Sequence, residues 1–94
     1  MRYLVQTKSF RRDLKREARG RYNTIVKGEL WEVAKILAND EPLASYYHDH
    51  PLYGNWLGSR ECHLAFDFVL VYTLDGDDKL ILERLGTHSE ALGL

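Results

Sequence analysis

The last third of the chain most restricts its fold. Three stretches there have the composition of β-strands, Trp56–His63, Asp67–Leu74 and Lys79–Leu85, and only short turns separate them. Ala65-Phe66 makes the first turn and Asp75-Gly76-Asp77-Asp78 the second. Connections this short join antiparallel neighbours, because a parallel pair needs a crossover of about a dozen or more residues. An antiparallel meander has a face to bury, so the rest of the chain must cover it.

The first forty residues supply that cover. Tyr3-Leu4-Val5-Gln6-Thr7 reads as an opening strand. Ser9 stands where an N-cap belongs, ahead of an amphipathic helix that Gly20 ends. Phe10 and Leu14 share one face of it, and Asp13 and Glu17 fall at ion-pair spacing among its basic residues. A second helix is predicted from Tyr22 to Ala38, where Tyr22, Val26, Leu30, Val33 and Leu37 form one stripe. Gly28 lies inside it, at a cost of about 1 kcal/mol against alanine, which close approach of another element commonly offsets. Asn39-Asp40-Glu41-Pro42 stops it, and residues 42–51 read as loop.

The predicted class is therefore α+β. A four-stranded antiparallel sheet carries an αα-hairpin on one face, in the order β-αα-βββ, with a short tail, GTHSEALGL. Residues 1–94 suffice for one domain and one core. The single Cys62 cannot form an internal disulfide, no run of eighteen apolar residues exists, and the N-terminus reads as a strand rather than a signal peptide. Cytoplasm is the expected location.

Net charge is −1, but its distribution is uneven. Residues 1–35 carry ten Lys/Arg against four Asp/Glu, a balance of +6, and residues 36–94 carry three against ten, a balance of −7. The basic half suits phosphate contacts, and an acidic half with histidines suits chemistry. A solvated basic helix explains the first half equally well.

His50, His63, Asp67 and His88 are the candidate chemical group. The turn between two strands brings His63 and Asp67 to the same sheet end, and His88 follows the last strand closely. Imidazoles titrate near neutrality without tuning, so such a group can run general acid–base catalysis. A competing reading is a zinc site built on His48-Asp49-His50, completed by His63 or His88. In the blandest reading each histidine satisfies local hydrogen bonds. Neither a P-loop, a dinucleotide-binding glycine motif nor a G-x-S-x-G elbow is present. Cys62 points to the opposite strand face from His63 and reads as a buried apolar residue. Trp31 and Trp56 read as core or interface. Arg60 and Arg84 are placed to grip a phosphate, or to pair across strands with Glu61 or Glu83.

The run DHPLYGNWLGSRECHL, then Asp67 and Tyr72, then ERLGTHSE at 83–90, resembles the YafQ-type toxins of the RelE/ParE superfamily. The element order, the length and the basic helices agree. The resemblance implies a toxin of a type II toxin–antitoxin system that enters the ribosomal A site and cleaves messenger RNA, with no metal and no other cofactor. It implies as partners the 70S ribosome, its mRNA and a ribbon-helix-helix antitoxin in a heterotetramer. Operator DNA is reached only through that antitoxin, and no membrane is involved. The family's active-site positions fall on His50, His63, Asp67 and His88, and a family aspartate on Glu61. The 2′-hydroxyl attacks the adjacent phosphorus while a base and an acid move protons. Asp67 and His88 are the expected proton-transfer pair, with His50 and His63 positioning or stabilising charge and Arg60 or Arg84 on the phosphate. Ribosome contacts are expected from Arg11, Arg12, Lys15, Arg16, Arg19 and Arg21. Ala91 and Leu92 stand where the family carries a phenylalanine that contacts the message, so Leu92 takes the place of a stacking residue. Other readings are a ParE-like gyrase-binding toxin, a zinc hydrolase using His48 and His50, and an inactive family member.

Overall fold

The computed structural model describes residues 1–93. In chain order the elements are β1 (Tyr3–Gln6), α1 (Lys8–Ala18), α2 (Asn23–Lys27), α3 (Glu29–Ala38), β2 (His50–Pro51), β3 (Arg60–Ala65), β4 (Phe68–Asp75), β5 (Lys79–Gly86) and α4 (His88–Leu92). They form a five-stranded sheet in the order β1-β5-β4-β3-β2.

The α+β class holds, but the expected four-stranded antiparallel sheet is corrected in two respects. First, the sheet is mixed, because β1 runs parallel to β5 with Tyr3 opposite Lys79 and Gln6 opposite Leu82. These strands are distant in sequence, and the helices with three strands between them make the long connection that a parallel pair requires. Second, a fifth strand comes from the stretch read as loop, where His50 pairs Glu61 and Pro51 pairs Arg60. Two residues ending in proline carry no periodic signal, and proline is tolerated on a sheet edge. Residues Gly54–Trp56 form a 3-10 turn, so β3 starts later than expected.

Thr7, rather than Ser9, caps α1. Its hydroxyl accepts from the backbone N–H of Phe10 at 2.9 Å and donates to the Glu83 carbonyl at 2.9 Å, tying the helix start to β5. The expected single second helix is broken at Gly28, whose φ of −131° and ψ of −84° leave the helical region. A Cβ on Gly28 would meet only the Thr24 carbonyl, at 3.5 Å, so the glycine serves a backbone break rather than a close approach by another element.

Alternation along the strands divides the interior into two clusters. Cys62, Leu64, Phe68, Leu70, Tyr72, Leu80 and Leu82 pack with Phe10, Leu30, Val33 and Leu37 under the helical layer. Val69 and Val71 belong to the second cluster, with Ala91 of α4 and the partly buried Leu52, Trp56 and Leu92. The tail is thus a second cover on the sheet, beyond the one-face layer expected, and it carries His88.

Candidate active site

Glu61 and His63 are two apart on β3, so both project to the same face, where Val69 and Val71 lie opposite them on β4. β2 adds His50 in register with Glu61. On α4, the Thr87 hydroxyl accepts from the Glu90 N–H at 3.1 Å and Glu90 Oε1 accepts from the Thr87 N–H at 3.2 Å, a reciprocal capping box. His88 is the first residue of that helix, so its ring position follows from the cap.

These elements converge on Glu61, whose side chain is 4% exposed. His50 Nε2 lies 3.4 Å from Oε2, while His63 Nε2 and His88 Nε2 lie 3.5 and 2.5 Å from Oε1. Oε1 receives no aligned hydrogen bond despite these ion-pair contacts. The His63 ring centre is 5.0 Å from that of His88, 6.2 Å from His50 and 5.6 Å from His48. Three histidines therefore gather around one buried carboxylate, and His48 stands behind His63. Asp67 binds from outside: its Oδ1 accepts from the backbone N–H of His88 at 3.0 Å and lies 2.8 Å from His88 Nδ1.

The surroundings drive the titrations apart. Burial pushes the His63 imidazole below its ordinary range; Glu61 opposes this, and His88, His48 and His50 reinforce it. Burial also works against charge on His88, but the Asp67 hydrogen bond and the nearby Glu61 outweigh it, so His88 is raised. Asp67 is lowered, first by the His88 backbone N–H and then by its ring. The two rings are shifted in opposite directions, His63 toward the neutral form and His88 toward the protonated one, which divides base from acid between them.

His50, His63, Asp67 and His88 are brought together as expected, with Glu61 at their centre rather than on a phosphate alone. Its signal was the two-residue spacing from His63. The arginines are more committed. Arg60 Nε donates to Asp49 at 3.2 Å, and Tyr72 donates to the same Asp49 oxygen at 2.6 Å. Arg84 Nε donates to Asp13 at 2.7 Å and its Nη2 to the Glu90 carbonyl at 3.0 Å, bracing α4. Neither pairs with Glu61 or Glu83. Asp13 and Glu17 are buried rather than surface partners, and Arg16 turns inward onto Asp13, Glu17 and the Leu85 carbonyl. Arg11, Arg12, Lys15, Arg19 and Arg21 remain exposed. Leu92 packs on the second cluster. Cys62 is buried on the helical side, and burial raises its thiol. Trp31 packs edge-on against Phe10 in the core.

His50, Glu61 and His63 bring their ligand atoms within 4.8 Å of one another, a set of two nitrogens and an oxygen suited to copper or zinc. His48 is outside this set. No helix of the described residues is long and apolar enough to cross a membrane.

A small mixed sheet between two helical covers, with histidines massed on a buried acid, is the architecture of a known toxin class. Residues 2–93 match the family described as bacterial toxin of type II toxin–antitoxin system, YafQ. The mRNA interferase toxin YafQ of Escherichia coli strain K12 is 44% identical over 59 residues, 62% of each chain. A copper-bound point mutant of a toxin from Helicobacter pylori has a similar structure, with a TM-score of 0.84 and 43% identity, covering 96% of this chain and 98% of that one. YafQ in the E. coli DinJ–YafQ complex gives a TM-score of 0.75 at 33% identity, covering 95% and 96%. The chain belongs to the YafQ family of type II toxins.

Proposed function

We propose that the chain is an endoribonuclease toxin that cleaves messenger RNA in the ribosomal A site by acid–base chemistry that requires no metal. The observation that carries this reading is the geometry of His63 and His88 on one buried Glu61, with Asp67 on the far side of the His88 ring; the opposite shifts of the two imidazoles agree with it. His63, kept more readily in its neutral form, takes the proton of the ribose 2′-hydroxyl, and His88 donates to the leaving 5′-oxygen. Asp67 holds the Nδ1 side of His88 and so acts as its positioning residue, in place of the direct proton-transfer role expected for the Asp67–His88 pair. Glu61 keeps three imidazoles together, and His50 on the exposed edge stabilises charge on the phosphorane. Arg60 and Arg84 reach a phosphate only by sharing or leaving their carboxylates.

Exposed Arg11, Arg12, Lys15, Arg19 and Arg21 give α1 and the turn after it a cationic surface for ribosomal RNA, with binding that weakens as salt rises. By analogy with the DinJ–YafQ complex, an antitoxin neutralises the chain. The direct experiment is induction in bacteria with mapping of new mRNA 5′ ends on ribosomes. Cleavage within translated frames, lost in folded His88→Ala and His63→Ala proteins, is expected. Arrest undiminished in both variants would refute the assignment.

One observation favours a second property of the same site. His50, Glu61 and His63 fit a copper or zinc ion, and a similar toxin was crystallised with copper. Such an ion supplies a Lewis acid when bound. The same binding would take His63 out of proton transfer and His50 off the phosphorane, so metal is an inhibitor in this scheme.

A further inference from the structure

Beside the histidines lies a cavity of about 700 Å³, which is continuous with the cluster because His50 and His63 line both. Two large aromatic side chains on its wall stand in solvent: Phe66 is 97% exposed and Tyr46 is 69% exposed. Its base is fixed, since the buried Tyr47 donates to Glu29 at 2.8 Å and its ring lies 4.5 Å from that of Tyr46. His48, held at a φ of +49°, also lines it and sets its ring near His63. Neither Phe66 nor Tyr46 belongs to the core, where Phe10, Phe68 and Tyr72 are fully or almost fully buried.

We propose that this cavity is a nucleobase subsite, in which Phe66 and Tyr46 stack the base of a nucleotide adjoining the scissile phosphate. Exposed rings next to acid–base groups suit an unpaired base, whose π-face any aromatic side chain can cover. Ligand cavities of roughly 300–1,000 Å³ are usual, so a single base with its ribose fits. Phe66 directly precedes Asp67, which holds His88. A base on Phe66 thereby anchors the strand beside the proton donor. The inference rests on the endoribonuclease reading and deepens it by locating where the message is gripped.

The test has two arms. In the first, nucleoside monophosphates are titrated into the free chain while the ring protons of Phe66 and Tyr46 are followed by NMR, with inorganic phosphate as control. Upfield shifts with nucleotides and none with phosphate are expected. In the second, Phe66→Ala with Tyr46→Ala raises the concentration of mRNA-programmed ribosomes needed for half-maximal cleavage by roughly 5- to 150-fold, the equivalent of one stacked base. The saturating rate falls far less, and Phe66→Trp with Tyr46 intact keeps the parent's value. Unmoved rings, or a double variant with the parent's half-saturation, would overturn the subsite. So would loss of antitoxin binding alone, which would make the aromatics a protein-docking surface. Shifted rings in a chain that never cuts RNA would sink the nuclease reading and leave the base subsite standing. Efficient cutting with unmoved rings would do the reverse.

Discussion

Asp67 grips His88 twice with one oxygen: Oδ1 accepts from the His88 backbone N–H at 3.0 Å and lies 2.8 Å from ring Nδ1. The first contact places the start of α4, and the second keeps a proton on the side of the ring away from Glu61. Position and protonation of His88 therefore depend on the same carboxylate.

The paired shifts set the shape of the pH profile. Cleavage rises as His63 loses its proton, below the ordinary histidine value of about 6.5, and falls as His88 loses its own, above that value. The result is a bell with a plateau near neutrality. Asp67→Asn removes the contact that raises His88, so the alkaline limb moves to lower pH, and further than the acid limb, because Asp67 touches His88 but acts on His63 only through its charge. Single-turnover cleavage measured from about pH 5 to 9 checks it, using reference pKa values as the frame.

Glu61 faces both rings, so Glu61→Gln has a different signature. The carboxylate raises His63 and His88 alike in the parent, and its neutral isostere moves both limbs of the bell to lower pH. At neutral pH cleavage falls by about 10²-fold or more, because less His88 carries its proton and the rings lose their common partner. A profile in which only one limb moves would contradict the central position of Glu61.

Much of this arrangement was legible in the residues themselves, because period and turn length are local properties. β4 and β5 lie where their residues indicate, α1 starts two residues early on Thr7 and β3 four residues late at Arg60, and the short β3–β4 turn already linked His63 with Asp67. What escaped depends on distant partners. The His50–Pro51 strand is too short to have a period and exists because β3 offers an edge. Gly28 inside an unbroken apolar stripe hides the break between α2 and α3. Asp13 and Glu17 look like surface ion-pair partners until β5 and α4 close over them. The site showed its histidines but not its centre, since a glutamate among other acids is conspicuous only once three rings surround it.

Metal should silence the chain. Copper(II) or zinc in slight molar excess is expected to occupy His50, Glu61 and His63 and to suppress cleavage, with activity restored by EDTA. Dialysis against EDTA without prior metal should leave the rate unchanged. His50→Ala weakens the inhibition by removing a ligand, which a metal titration of cleavage measures directly. Stimulation by metal in the parent would count against the metal-free scheme.

Asp13 is the main electrostatic tie between the helical layer and the site. Its carboxylate, 3% exposed, accepts from Arg84, Arg16 and the backbone N–H of Leu85. Asp13→Ala leaves the buried Leu85 N–H without its acceptor and takes one carboxylate partner each from Arg84 and Arg16, a loss of about 3 kcal/mol. For a chain of this size that lowers Tm by roughly 12 °C or more, readable by thermal denaturation. Exposed Asp77→Ala, on the turn between β4 and β5, should change Tm little.

Gly86 marks where the network passes closest to the backbone. An added Cβ would stand 2.8 Å from Arg16 Nη2 and 3.2 Å from Glu90 Oε1, the side chain that closes the α4 capping box. Arg16 can move only by leaving Asp13, Glu17 and the Leu85 carbonyl, and Glu90 only by releasing the cap. Gly86→Ala is therefore expected to displace the start of α4 and with it His88, lowering cleavage by about tenfold or more, since small misplacements of a catalytic group are costly. At the Gly86 φ of +155° an added side chain is also strained by the backbone itself, so removing Arg16, which would cost Asp13 and Glu17 a partner, offers no rescue. Unchanged single-turnover cleavage by a folded Gly86→Ala protein would show that the cap does not govern His88.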